Sequence, residues 1–286
     1  MLEYIKMLVM SFVSGVFSAL PISSSAHYAF LNTVFHFSSD PDTVGFYFSI
    51  ISAVFSLVVF FFLRKLYSKA FGSVLKRSSK SADPRKQKQY KSMALNILLS
   101  LIPALILLIP VSKETFLFDI FDNYFSDSHL MVISFCCIAS GLILSVAVWY
   151  SGKRTEKAKR SATASGAVRF GLYQLPAYFF PGFSHIGSGA AALTVSNVDD
   201  RVIAREVLLY LAPSGFIVSV ARIIRYILAG VTADPVMIVV CAAACLVSSA
   251  IIVNAIGKIN SKRLYLFSCV YSIFFGLFIF VASFFI

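Results

Sequence analysis

At 286 residues, with 58% hydrophobic and only 13% charged side chains and a mean hydropathy of +0.84, the chain is too apolar for a soluble globular domain. The formal net charge of +12 does not point to nucleic acid, because the basic residues sit in short stretches between apolar runs, as the positive-inside rule expects. Cys136, Cys137, Cys241, Cys245 and Cys269 all lie inside apolar segments, an odd number without zinc spacing or a disulfide framework, and read as small core residues.

In chain order, residues 1–20 hold an apolar stretch with Lys6 as the basic residue and no small-residue cleavage pattern, so the segment is expected to be retained. The apolar run 4–35 is interrupted by Pro21 and by Ser23, Ser24 and Ser25, and 170–195 is interrupted by Pro181, Gly182 and Ser184. Irregular backbone at membrane depth survives only where it is buried in protein or lines a wet cavity, so both runs read as re-entrant hairpins that mark the site. Six other segments are long enough to span the roughly 30 Å of hydrocarbon: 44–63, 94–111, 129–150, 206–226, 235–256 and 264–286.

Loop charge sets the orientation. The stretch 64–91 carries ten Lys and Arg against Asp83 and is placed in the cytoplasm; 112–128 carries Glu114, Asp119, Asp122 and Asp127 against Lys113; 151–169 is basic again. The first hairpin then enters from outside and the second from inside. The expected fold is an all-α integral membrane protein, six transmembrane helices plus two re-entrant hairpins in an inverted repeat, one domain over 1–286 with halves about 1–128 and 129–286. Lys258, Lys262 and Arg263 fall on the expected inner side, whereas Arg222 and Arg225, near the outer end of their span, run against it.

The first hairpin reads Leu20-Pro21-Ile22-Ser23-Ser24-Ser25-Ala26-His27, three hydroxyls and an imidazole at a helix break whose freed amides suit an anion. A nucleophile and a base are one reading; hydroxyls satisfying backbone at a proline kink, with His27 on a carbonyl, are the other. The second reads Pro181-Gly182-Phe183-Ser184-His185-Ile186-Gly187-Ser188-Gly189, which is either a phosphate-binding backbone nest or a small-residue packing segment.

Together the two motifs resemble the signature regions of the undecaprenyl-diphosphate phosphatases, the bacitracin-resistance type of integral membrane phosphatase. The resemblance extends to the span from Phe46 with its terminal Arg64-Lys65, to Ile102-Pro103-Ala104, and to Ala204-Arg205-Glu206 through Ala212-Pro213. It implies removal of one phosphate from a C55 polyprenyl diphosphate at the outer face of the bacterial cytoplasmic membrane, with a divalent cation such as Mg²⁺ or Ca²⁺, in recycling of the peptidoglycan carrier lipid. By position Ser24 matches the nucleophile and His27 its partner, with Ser23, Ser25, Gly182, Ser184, His185 and Gly187 around the substrate. A homodimer stays open, and no nucleic-acid partner is expected.

The chain departs from the family where charge matters. Two glutamates four residues apart in the family's first motif are here Ser14 and Ser18; the arginine of the second is His185 and the serine after it Ile186; Tyr47 and Ile51 stand where Glu and Gln are usual. Hydroxyls and carbonyls alone hold a hard cation poorly, so no metal ligand is assigned and a cation would depend on the substrate's own phosphates. Asp40, Asp42, Glu206 or a protonated His185 are the available replacements. Two readings follow: a divergent phosphatase, or a non-catalytic member that binds or transports a polyprenyl phosphate. A proton-coupled transporter of small solutes is disfavoured by spans nearly free of ionisable residues.

Overall fold

The computed structural model describes residues 1–75, 83–111, 116–117, 129–153, 158–256 and 261–285. The acidic residues of 112–128 and several of the basic ones, Lys258 included, lie outside the described residues. Ten helices follow one another within them: α1 (Leu2–Ser18), α2 (Ser24–Phe35), α3 (Pro41–Leu75), α4 (Pro84–Ile106), α5 (His129–Gly152), α6 (Ala164–Phe179), α7 (His185–Val195), α8 (Asp200–Leu228), α9 (Pro235–Ile256) and α10 (Ser261–Ala282). Among the described residues there is no β-strand, only isolated bridges such as Lys159 with Val198.

Six of these, α3, α4, α5, α8, α9 and α10, are long and apolar enough to cross a membrane, and they coincide with the six expected spans. The chain is a multi-pass integral membrane protein. Their outer faces carry large apolar side chains such as Val239, Leu246, Phe267 and Phe274, as lipid contact requires. Several ends differ from the sequence reading: α4 starts at Pro84 and not at 94, α8 starts at Asp200 and not at 206, and α10 ends at Ala282 and not at 286. Helix α3 continues past Leu63 to Leu75, its first emerging cation, Arg64, lying over the Phe61 ring at 4.4 Å. Helix α4 stops at Ile106, short of 111, and its end tightens into turns at Leu107, Leu108 and Ile109. Pro110 supplies no amide and disfavours helical geometry at Ile109.

Helices meet closely where a side chain is missing. A Cβ on Gly141 of α5 would lie 3.0 Å from the Cys269 carbonyl of α10, and one on Gly171 of α6 would lie 2.6 Å from the Ser100 carbonyl of α4. Small residues of this kind let membrane helices approach to dispersion contact, the main attraction available where lipid is as apolar as protein. The cysteines are buried and form no disulfide; the thiols of Cys241 and Cys245 on α9 point to the Tyr47 and Ile51 carbonyls of α3. Tyr47 and Ile51 are themselves core residues.

At the start of α9, Asp234 accepts from the Tyr4 hydroxyl of α1 at 2.7 Å and from the Val236 amide at 2.9 Å. These bonds, led by that of Tyr4, hold its carboxyl below the ordinary value. A depressed carboxylate contributes stability above its unfolded pKa of about 3.9 and loses it as pH falls through the lower folded value. Thermal melting from pH 6 down to pH 3 should therefore fall more steeply for the wild type than for Tyr4→Phe. Parallel curves would rule out this link as a source of acid sensitivity.

Candidate functional site

Each interrupted run is two helices joined by a proline-containing break. After α1, Pro21 prevents continuation, and Ser23, in extended geometry (φ −77, ψ 110), starts α2 by accepting from the Ala26 amide at 3.2 Å. After α6, Phe180 is extended, Gly182 takes φ +109, and Ser184 (φ −87, ψ 120) starts α7 by accepting from the Gly187 amide at 3.0 Å. The two breaks touch. The Gly182 amide donates to Ser25 Oγ at 3.1 Å, and Ser25 Oγ lies 3.1 Å from Ser23 Oγ. A Cβ at Gly187 would come within 3.4 Å of the Pro21 carbonyl. Two helix N-termini, each with a positive dipole end, thus lie side by side.

The three serines have distinct positions. Ser23 caps, Ser25 ties the two breaks together, and Ser24, at the first position of α2, is half-buried and lines a cavity. Among the described residues the Ser24 hydroxyl bonds to no protein group. The Ser184 side chain is buried as a cap, and its amide donates to Ser140 Oγ at 3.1 Å.

The histidines differ too. His27 is sandwiched between the Phe17 and Phe275 rings at 3.7 and 3.9 Å, with Nδ1 2.6 Å from the Ser23 carbonyl and Nε2 2.8 Å from the Tyr271 hydroxyl. Nδ1 must carry the proton, and Nε2 accepts from Tyr271; both nitrogens are engaged by groups other than Ser24. His185 lines the cavity. Its carbonyl accepts from Gln174 Nε2 at 2.8 Å, which turns Gln174 Oε1 toward His185 Nδ1 at 2.9 Å. Nδ1 is again the protonated nitrogen, and Nε2 keeps its lone pair.

The cavity measures about 1160 Å³ and is lined by α2, α3, α8 and both breaks. On α3 it follows one face, Val44, Gly45, Phe48, Ser49, Ser52, Phe55 and Ser56, in which bulky apolar and small hydroxyl side chains mix. From Asp42 to Ser56 that face runs ~21 Å along the helix at ~1.5 Å per residue. Such a volume exceeds the usual small-ligand range of roughly 300–1,000 Å³ and suits a long amphiphile.

The positions lacking the family's carboxylates divide: Ser14 is fully buried, whereas Ser18 lines the cavity. Glu206 is buried away from it, with Oε2 accepting from the Ala162 amide at 2.9 Å. Asp40 and Asp42 do line the cavity, near the start of α3. Asp40 caps that helix through Thr43, and Asp42 pairs with Arg225 at 2.9 Å. Among the described residues no three His, Cys, Asp or Glu side chains converge on one point. With both carboxylates among the described lining residues held by protein partners, these described donors do not fit a resident hard divalent cation.

Several participants were not visible as site residues in the sequence. Gln174 and Tyr271, which orient the histidines, signal themselves only as polar groups in apolar runs. Arg222 and Arg225 line the cavity from α8; their signal was their departure from the positive-inside pattern.

Helices, paired N-termini and cavity together define a polytopic membrane protein in which two helix starts meet at a long cavity of mixed apolar and hydroxyl lining. The sequence profile of the bacitracin resistance protein BacA family matches residues 7–278, and the chain belongs to that family. It is also similar to undecaprenyl-diphosphatase 1 of Clostridium acetobutylicum, 26% identical over 231 residues that make up 79% of this chain and 77% of that protein.

Proposed function

We propose that the chain hydrolyses a polyprenyl diphosphate carrier lipid to its monophosphate in the bacterial cytoplasmic membrane, serving recycling of the lipid used for cell-wall synthesis. The observation that carries this reading is the unbonded Ser24 hydroxyl, set at a helix N-terminus in a cavity that also contains His185. Family membership and the relative's name support the substrate class. In the same reading the two interrupted runs are re-entrant, the halves about 1–128 and 129–286 are inverted copies within one domain, and the diphosphate lies where the breaks meet.

Ser24 Oγ attacks the terminal phosphorus while its proton passes to Nε2 of His185. The bond from phosphorus to the bridging oxygen breaks, and the lipid monophosphate leaves. Water then attacks the phosphoserine, the Ser24 oxygen recovers its proton from His185, and inorganic phosphate departs; one water is consumed per phosphate released. The amides at the starts of α2 and α7 stabilise the equatorial oxygens. His27, through its bond to the Ser23 carbonyl, positions the turn that presents Ser24. No step is routed through a metal.

The test is phosphate release from undecaprenyl diphosphate by the protein in detergent, with Mg²⁺, with Ca²⁺ and with chelator. His185→Gln should lower kcat by roughly 10²- to 10⁴-fold, the usual worth of a general base. His27→Gln should act more weakly. No release by the wild type, beside saturable lipid binding, would replace this reading with that of a binder or transporter.

A further inference from the structure

Glu206 and Asn96 are polar side chains that do not line the cavity, and each is only 1% exposed. They come from different spans, α8 and α4, and meet at one residue of the segment that leads into α6. Glu206 Oε2 accepts from the Ala162 amide at 2.9 Å, and Asn96 Nδ2 donates to the Ala162 carbonyl at 2.8 Å. The Tyr210 hydroxyl donates to the same Oε2 at 3.4 Å and lies close to the Asn96 side chain. Their neighbours along the two spans, Ala94, Ile97, Ile203 and Val207, are buried apolar side chains.

Two acceptors of this cluster have no hydrogen-bond partner: Glu206 Oε1 and Asn96 Oδ1. Asn96 cannot be turned over to relieve its own, because Nδ2 is needed at the Ala162 carbonyl. The cluster is therefore short of donor hydrogens. A buried acceptor without a partner costs free energy, and an ionised carboxylate in apolar surroundings costs far more. The cation next to it in sequence, Arg205, is exposed and forms no ion pair with it among the described residues.

We propose that Glu206 is a proton-binding site, carrying the proton on Oε1 and donating it to Asn96 Oδ1. One hydrogen then satisfies both orphaned acceptors and removes the buried charge. A water molecule would leave the carboxylate ionised, and a metal cation would find only these two free side-chain oxygens among the described residues of the cluster. The protonated pair clamps Ala162 on both sides of its backbone. Ala162 belongs to a strap that is held along its length: Lys159 exchanges backbone hydrogen bonds with Asn197 and Asp199 at 2.8 Å, and Thr163 caps α6 by accepting from the Gly166 amide at 3.3 Å. The proton thereby fastens the root of α6, the helix that carries Gln174, to α4 and α8. This latch stands apart from the cavity and does not depend on what the cavity binds.

The test is infrared spectroscopy and thermal melting of the purified full-length protein in detergent, for wild type, Glu206→Gln, Glu206→Ala and Asn96→Ala. At neutral pH the wild type should show a carboxylic-acid carbonyl band that Glu206→Gln lacks. Asn96→Ala should move that band, because it removes the acceptor of the acid's proton; this reads the same proton without touching the carboxyl and covers the case in which Glu206 variants do not fold. An amide at position 206 offers a donor and an acceptor in the places the acid does, so Glu206→Gln should melt within about 2 °C of the wild type. Glu206→Ala leaves the Ala162 amide without a partner and should melt about 5 °C lower. A band that neither Glu206→Gln removes nor Asn96→Ala moves means that the carboxylate is ionised, and overturns the proposal. A melting temperature raised by Na⁺ over choline in the wild type but not in Glu206→Gln assigns the two oxygens to a metal cation, and overturns it as well.

Discussion

Under the proposed function, replacing Ser24 by alanine should lower phosphate release from undecaprenyl diphosphate by at least about 10³-fold, because a nucleophile and its base act as a unit and the loss of one member removes most of what the unit supplies. Neighbouring hydroxyls cannot take over. Ser23 Oγ is bound to the Ala26 amide and is buried, and Ser25 Oγ receives the Gly182 amide at 3.1 Å. Either would have to break the contact that shapes its own turn before it reached a phosphorus atom. The variant should fold normally, since the Ser24 hydroxyl makes no hydrogen bond within the described protein, and its melting temperature should match the wild type. Lipid binding should also survive, because the amides of α2 and α7 remain. A decrease below about tenfold would demote Ser24 from nucleophile to a residue of the binding surface.

Gly182→Ala should destabilise the protein by about 2 to 5 kcal/mol, through a strained backbone and an overfilled contact together. The residue adopts φ +109, where a side chain is rarely tolerated, and its added Cβ would lie 2.6 Å from the Ile133 carbonyl and 2.8 Å from Cys136 Cβ. Both obstacles belong to α5, which is itself packed against α10, so neither has room to retreat. The same change displaces the amide that binds Ser25 and separates the two breaks, so activity should fall with stability. Gly72→Ala is the control: nothing lies within 4 Å of a Cβ there, and the helix should tolerate or favour it. Equal melting temperatures for wild type and Gly182→Ala in detergent would show that the turn has other conformations open to it.

What the sequence determined alone was whatever depends on neighbours along the chain. Six runs of apolar side chains specify six spans, because a backbone in hydrocarbon must satisfy its own hydrogen bonds. Pro21 with Ser23, and Pro181 with Gly182 and Ser184, specify the two breaks and their caps, since ring closure, φ freedom and a hydroxyl three residues before an amide act within one turn. Even the end of α4 was legible in Pro110, though hydropathy carried the expectation past it.

Tertiary structure decided which of these groups face one another. His27 and Tyr271 are 244 positions apart, and Gly182 and Ser25 are 157 apart; no local pattern encodes such pairs. Spacing allows Ser24 and His27 to be neighbours on α2, yet the stacking of His27 between Phe17 and Phe275 assigns its nitrogens to Ser23 and Tyr271 instead. The rotation of α8 about its axis turns Arg222 toward the cavity while Glu206, on the same helix, is buried against Ala162. That rotation is set by which side chains interlock with α3, α4 and α7, a property of packing shared among four helices.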